Sequence, residues 1–220
     1  MSFTPERRMR IGALISGGGT NLPPVFEAMK DPACPYEVVV CISNRPAAPG
    51  LDKAKAAGVP AVTIDHKQFD SREAFETDVQ KVLEDHAVDL VITPGFMRIL
   101  TNSFIAKWPE RIINIHPTLL PSFPGLKPHH QALAAGVKIS GCTVHFAVPD
   151  VDAGPIIGQA AVPVYDDDTP ETLAARVMQA ELKLFPRCLQ AVAEGRVQID
   201  HGRTLIDARP GEFDEFNPAP

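Results

Sequence analysis

Apolar residues fall along this chain in two alternating patterns. Short runs rich in β-branched residues occur at Ile11–Ile15, Glu37–Ser43, Ala61–Ile64, Leu90–Thr93 and Ile112–Ile115. They have the length and composition of buried strands. Stretches with helical spacing lie between them. One helix is expected from about Leu22, where Pro23 and Pro24 fit a first turn whose N–H groups lack partners in any case. A second covers Leu51–Ala57 and ends at Gly58. A third runs from an N-cap at Ser71 to about His86, with Phe75, Val79, Val82 and Leu83 on its apolar face. Such alternation predicts a parallel sheet with helices on both faces. Beyond His116 the pattern changes. Cys142–Val148 and Ile156–Val164 read as long strands with no helix between them, hence an antiparallel pair. A helix from about Pro170 to Glu194 follows, then a short strand in RVQID. The expected fold class is α/β, a Rossmann-like, mostly parallel sheet with an antiparallel C-terminal strand pair.

Composition narrows this little. The chain has 220 residues, 45% hydrophobic and 22% charged, with a formal net charge of -6. That balance suits a globular domain and offers no general basic surface for nucleic acid. No apolar run is long enough for a membrane span, and MSFTPERRMR lacks the apolar core of a signal peptide. The four cysteines form no C-x-x-C pair, so free thiols in a reducing cytoplasm are expected rather than disulfides or zinc. Residues 1–8 read as an extension, 9–206 as a single domain, and 207–220 as a surface tail in which Phe213 or Phe216 could dock.

In open parallel sheets, ligands sit beyond the carboxyl ends of the strands. Ser16–Asn21 (SGGGTN), Pro94–Leu100 and Asn114–His116 all belong to that rim. Consecutive glycines leading into a helix let backbone N–H groups approach an anion; phosphate binding is favoured here over a merely permissive tight turn. The G-x-G-x-x-G spacing and an acidic residue at the end of the second strand are both missing, as is Gly-Lys-Ser/Thr. A monophosphate therefore fits better than NAD or ATP. Arg45 leaves a thin case for NADP. Asn114 and His116 are alternate residues of one strand and share a face. An amide donor beside a group that titrates near neutrality suits an acyl carbonyl becoming an oxyanion. Asp150 and Asp152, read alone, are turn residues first; a carboxylate near His116 would orient it. His66, His86 and His201 read as surface or loop residues. His129 and His130 open a helix without metal-ligand spacing, and no G-x-S-x-G elbow is present.

ISGGGTNL, GFMRIL, INIHPTLLPSFPG and HFAVPDVDAGPII, in that order, closely resemble the glycinamide ribonucleotide formyltransferase family of purine biosynthesis, over Met9 to about Ile206. The resemblance implies that Gly19, Thr20 and Asn21 bind the ribonucleotide phosphate and Glu181 its ribose. It implies a folate pocket formed by Arg72, Met97, Arg98, Ile99 and Leu100, with the loop Ala147, Val148 to Val151. Asn114, His116 and Asp152 match the catalytic trio, 10-formyltetrahydrofolate is the implied co-substrate, and no metal is implied. A cytoplasmic monomer or homodimer acting on small molecules, without nucleic acid or membrane, is the corresponding expectation. Pro23, Pro24, Pro94, Thr118 and Met178 depart from the family pattern. Formyltetrahydrofolate hydrolase shares the trio but resembles this chain with an added N-terminal regulatory domain, for which the first strand at residue 10 leaves no room. An NADP-binding oxidoreductase would leave Asn114, His116 and Asp152 idle.

Overall fold

The computed structural model describes residues 7–207. Phe213, Phe216 and nearly all of the expected tail and N-terminal extension lie outside the described residues. The chain divides into two compact units between Asn114 and Ile115.

The first unit is built on parallel strands. β1 (Met9–Ile15) pairs with β2 (Tyr36–Ser43) on one side and β4 (Leu90–Ile92) on the other, and β3 (Ala61–Thr63) lies beyond β2. The start of β5 (Ile112–His116) pairs parallel with β4. Ile11, Ala13, Leu14, Val40, Cys41, Val91 and Ile92 are fully buried or nearly so, as expected of strands covered on both faces. Helices α1 (Leu22–Ala28), α2 (Pro49–Ala56), α3 (Arg72–Asp85) and α4 (Asn102–Lys107) connect them. Ser71 caps α3 as expected, its Oγ accepting the Ala74 N–H at 3.0 Å, and Phe75, Val79 and Leu83 are buried along one side. Pro23 and Pro24 sit in the opening turn of α1, where missing donors do no harm.

The second unit holds the end of β5, α5 (Pro128–Ala134) and the expected antiparallel pair, β6 (Ile139–Phe146) with β7 (Ile156–Pro163). Helix α6 (Pro170–Ala193) packs on both of these strands. Its start is fixed by a capping box between Thr169 and Thr172. β8 (Val197–Asp200) does not stand alone: it pairs antiparallel with β9 (Arg203–Ile206) in a sheet of their own. The hairpin turn places His201 and Gly202 at φ 46° and 77°, the left-handed conformations that a two-residue turn demands. Strand order in the main, seven-stranded sheet is β3-β2-β1-β4-β5-β6-β7, so the expected fold class holds. No helix among the described residues is long and apolar enough to cross a membrane.

The β6–β7 pair depends on one missing side chain. A Cβ at Gly141 would stand 1.9 Å from the Ala160 carbonyl oxygen and 2.9 Å from Leu119 Cδ2, and the backbone atom cannot rotate away. Gly141→Ala is expected to cost ~2 kcal/mol or more, the scale of overpacking in a tight core. Urea unfolding checks this; an unchanged midpoint would show that the strands separate without cost.

Candidate active site

In the first unit, the loop after β1 is held by contacts that its sequence does not advertise. Ser16 is buried, and its Oγ accepts the Met97 N–H at 2.8 Å. Gly17 and Gly18 face open space. Gly19 adopts φ 55° and lies against Gly50, whose N–H donates to the Gly17 carbonyl at 3.0 Å. A Cβ on Gly50 would come within 2.4 Å of Ile15 Cδ1 and 3.0 Å of Gly17 O. Gly50 therefore backs the glycine loop, a role invisible in sequence because it depends on close approach between distant segments. Gly19 and Asn21 are buried and Thr20 is exposed.

The segment after β4 opens with a tight turn. Phe96 N–H donates to Thr93 O at 3.2 Å, with Gly95 at φ 71°. Met97 and Ile99 then extend outward, 69% and 59% exposed, while Arg98 and Leu100 are half-buried. The Arg98 guanidinium lies 5.5 Å from the centre of the Phe75 ring, and Arg72 Nη1 reaches the Ile99 carbonyl at 3.5 Å. Thus Arg72, on α3, meets the segment 97–100. At the end of the unit, the Thr93 hydroxyl donates to Asn114 Oδ1 at 3.1 Å, which turns the amide carbonyl toward Thr93.

In the second unit, three ionisable side chains converge. His116 Nδ1 is 3.3 Å from Asp152 Oδ2, and His145 Nε2 is 3.7 Å from Asp152 Oδ1. All three side chains are below 10% exposed, at 7%, 9% and 2% for His116, Asp152 and His145. Each outer edge is fixed by a backbone carbonyl. His116 Nε2 lies 3.0 Å from Phe123 O and His145 Nδ1 lies 3.0 Å from Phe146 O. A carbonyl only accepts, so both of these nitrogens carry a proton. Asp152 Oδ2 also accepts the Gly125 N–H at 2.9 Å. The stretch after β5 is held by Thr118, whose hydroxyl donates to Ser122 O at 2.8 Å. Thr143 Oγ1 accepts the Leu120 N–H at 3.0 Å and donates to Thr118 O at 2.7 Å.

The formyl transferase family model matches residues 9–189, which contain all of these groups. The chain belongs to the formyl transferase family. It is 49% identical over 198 residues to trifunctional purine biosynthetic protein adenosine-3 of Bos taurus, covering 90% of this chain and 20% of that protein. The chain thus spans about a fifth of the length of that relative. Against phosphoribosylglycinamide formyltransferase of Escherichia coli K12 it is 38% identical over 201 residues, 91% of this chain and 95% of that one. The crystal structure of glycinamide ribonucleotide transformylase 1 from Symbiobacterium toebii superposes with a TM-score of 0.89 at 44% identity, covering 94% and 97% of the two chains. A formyltetrahydrofolate deformylase from Pseudomonas syringae pv. tomato shares the fold at TM-score 0.85 but only 28% identity, with 67% of that chain covered.

Other expected residues of this formyl transferase are placed as follows. Glu181 is buried on α6. Ala147 and Val148 are half-buried and Val151 is 51% exposed. Among the described residues no group of three or more His, Cys, Asp or Glu side chains is arranged to hold a metal ion. The described cysteines are free; Cys41, Cys142 and Cys188 are buried and Cys34 half-buried. His86 is structural, its Nδ1 meeting Val82 O at 2.8 Å, and His66 is tied to Asn44 O at 2.8 Å. His145 was passed over. The available signal was a lone imidazole near the end of an otherwise apolar strand, GCTVHF.

Burial pushes the His145 imidazole below its ordinary value, with the Phe146 carbonyl and Asp152 opposing and His116 adding to the shift. Burial lowers His129 in the same direction. Well above about pH 6.5 both are neutral in the folded and unfolded chain. As the pH falls below that, the unfolded chain takes up protons that the folded chain resists. Stability therefore declines until the lowered folded values are passed, by at most ~1.4 kcal/mol per pH unit for each group. Urea unfolding between pH 7 and 5 is expected to show this decline, and His145→Gln to flatten it. Identical slopes in the two proteins would remove His145 as a source.

Proposed function

We propose that this chain transfers the formyl group of 10-formyltetrahydrofolate to the amine of glycinamide ribonucleotide, giving formylglycinamide ribonucleotide and tetrahydrofolate in purine biosynthesis. The observation that carries the reading is the buried His116–Asp152 pair at 3.3 Å, with His116 two residues along the chain from Asn114. The family match runs across the boundary at Asn114 and Ile115, which supports treating 9–206 as one catalytic domain. Near full-length coverage of the E. coli phosphoribosylglycinamide formyltransferase and the S. toebii glycinamide ribonucleotide transformylase favours transfer to the ribonucleotide. The deformylase likeness is more distant and leaves a third of that chain unmatched.

In this reading the acceptor amine attacks the formyl carbon, and negative charge builds on its oxygen. Asn114 supplies an uncharged N–H donor, held in orientation because Thr93 engages its carbonyl end. His116 Nε2 is committed to Phe123 O, so proton exchange runs through Nδ1. The Nδ1–Asp152 separation of 3.3 Å exceeds the 2.7–2.9 Å typical of a strong charge-assisted bond. Asp152 thereby orients the ring without locking Nδ1. The bond from the formyl carbon to the folate nitrogen then breaks as the carbonyl re-forms; the proton lost by the amine and the proton gained by that nitrogen balance, and no net charge is left behind. Gly19, Thr20 and Asn21 are assigned to the acceptor phosphate and Glu181 to its ribose. Arg72, Met97, Arg98, Ile99, Leu100, Ala147, Val148 and Val151 are assigned to the folate. The outward-facing Met97 and Ile99 side chains support that assignment, since apolar groups at a rim await a ligand surface. The free cysteines support a cytoplasmic setting.

An assay of tetrahydrofolate release from 10-formyltetrahydrofolate, with and without glycinamide ribonucleotide, tests the proposal. Release is expected only with the acceptor; equal rates without it would establish the hydrolase instead. Asn114→Ala is expected to lower turnover by roughly 10²–10³, the scale for removing one oxyanion donor. Near-normal turnover in that variant would remove Asn114 from the reaction centre.

A further inference from the structure

Glu76 is a carboxylate only 5% exposed on α3, and nothing in the catalytic reading uses it. Both of its oxygens are spent on one residue. Oε1 accepts the Thr101 backbone N–H at 2.9 Å, and Oε2 accepts the Thr101 hydroxyl in a short hydrogen bond. Thr101 is in turn the N-cap of α4, its Oγ1 accepting the Phe104 N–H at 3.2 Å. Glu76 therefore holds the residue at which the segment 97–100 ends and α4 begins.

The neighbouring contacts reach the same segment and the helix α4 that follows it. Arg72, Phe75, Glu76 and Gln80 lie one above another on α3, following helical spacing. Arg72 meets Ile99 O, Phe75 lies under Arg98, Glu76 grips Thr101, and Gln80 Oε1 accepts the Trp108 Nε1–H at 2.7 Å. At its other end the segment is tied by Met97 N–H to Ser16 Oγ at 2.8 Å. Of these ties the Glu76 clamp is the buried, charged and doubly bonded one. Hydrogen bonds to an ionised acceptor are about twice as strong as neutral ones. A charge buried for stability alone would be a poor choice, because desolvation offsets most of the gain. What a bidentate carboxylate adds is a fixed position for the backbone it holds.

We infer that Glu76 is a positioning residue that sets the segment 97–100 at the geometry required to bind the formyl donor. The inference rests on the reading of 97–100 as part of the folate site. Losing the clamp lets the segment move, and the cost falls on donor binding rather than on the acceptor or the chemical step.

Two measurements on the full chain separate the clamp from the functional reading. The first is amide hydrogen exchange without ligand. Glu76→Ala is expected to speed exchange at Met97, Arg98, Ile99, Leu100 and Thr101 by about tenfold or more, the equivalent of ~1.4 kcal/mol, while Ile11–Leu14 in β1 stays as in the parent. Unchanged exchange at 97–101 overturns the clamp. The second is steady-state kinetics. Glu76→Ala is expected to raise KM for 10-formyltetrahydrofolate by about tenfold, leaving kcat and the KM for glycinamide ribonucleotide within about twofold. A rise shared by both substrates, or confined to kcat, overturns the donor-specific role. Thr101→Ser, which keeps both hydrogen bonds, is expected to match the parent protein. Should Glu76→Ala fail to fold, Glu76→Gln keeps an acceptor for the Thr101 N–H and is expected to show both effects in smaller degree; parental values for both would overturn the inference. If the parent itself shows no saturable dependence on the folate, the functional reading fails, while the exchange result still decides the clamp.

Discussion

A carboxylate removed from water must be answered by donors, and the second unit is arranged around that requirement at Asp152. Its side chain is 9% exposed, and an isolated charge at that depth would be neutralised or expelled. Instead one oxygen receives the Gly125 N–H and faces His116 Nδ1, and the other faces His145 Nε2. Each imidazole is then tied at its far edge to a backbone carbonyl, Phe123 O or Phe146 O. The chain that delivers these partners comes from the end of β5, the proline-rich stretch after it, the end of β6 and the loop before β7. Placing one charge thus constrains four separated pieces of sequence.

The first unit solves a different problem by different means. Its segments after β1 and β4 carry a single charged side chain, Arg98, and hold backbone in defined places at the ends of parallel strands. Glycine does this on one side, where Gly50 and Gly19 come together without side chains between them. Side-chain hydrogen bonds do it on the other, where Ser16 fixes Met97 and Glu76 fixes Thr101. Ser16 is the first residue of the glycine loop, so one hydroxyl joins the segment assigned to the phosphate with the segment assigned to the folate. Positional precision here comes from packing and from hydrogen bonds donated by uncharged groups.

These differences explain what could be read from the residues. Strands such as β2 and β4 were legible because a continuous β-branched run has few other interpretations, and α3 because its cap and its apolar face agree. The antiparallel β6–β7 pair followed from two long strands without a helix between them. α4 was missed because six residues carry less than two turns of periodicity. β9 was missed because its alternation, RTLI, is short and half-exposed. Within the site, Asn114 and His116 announce themselves by alternation along one strand. Asp152 does not, since an aspartate between Pro149 and Pro155 is ordinary turn chemistry until its partner is known; only resemblance singled it out. His145 and Glu76 were hidden for a common reason. Each is a polar residue inside an otherwise predictable element, and its function depends on residues far away in sequence.

Backbone conformation points to the same conclusion from another direction. Phe123, Lys127 and Asp152 all adopt left-handed φ values, 57°, 54° and 55°. For residues with a side chain each costs on the order of 1 kcal/mol or more, and a large aromatic at such a position is unusual. Two of the three deliver an atom directly to the buried cluster. The turn at Phe123 aims its carbonyl at His116 Nε2, and the turn at Asp152 aims its own carboxylate between the two imidazoles. A relaxed backbone at Phe123 would leave Nε2 without its acceptor and both ring nitrogens open to proton exchange. The strain at Phe123 therefore has a structural counterpart: it makes one nitrogen of His116 a fixed donor and leaves the other facing Asp152.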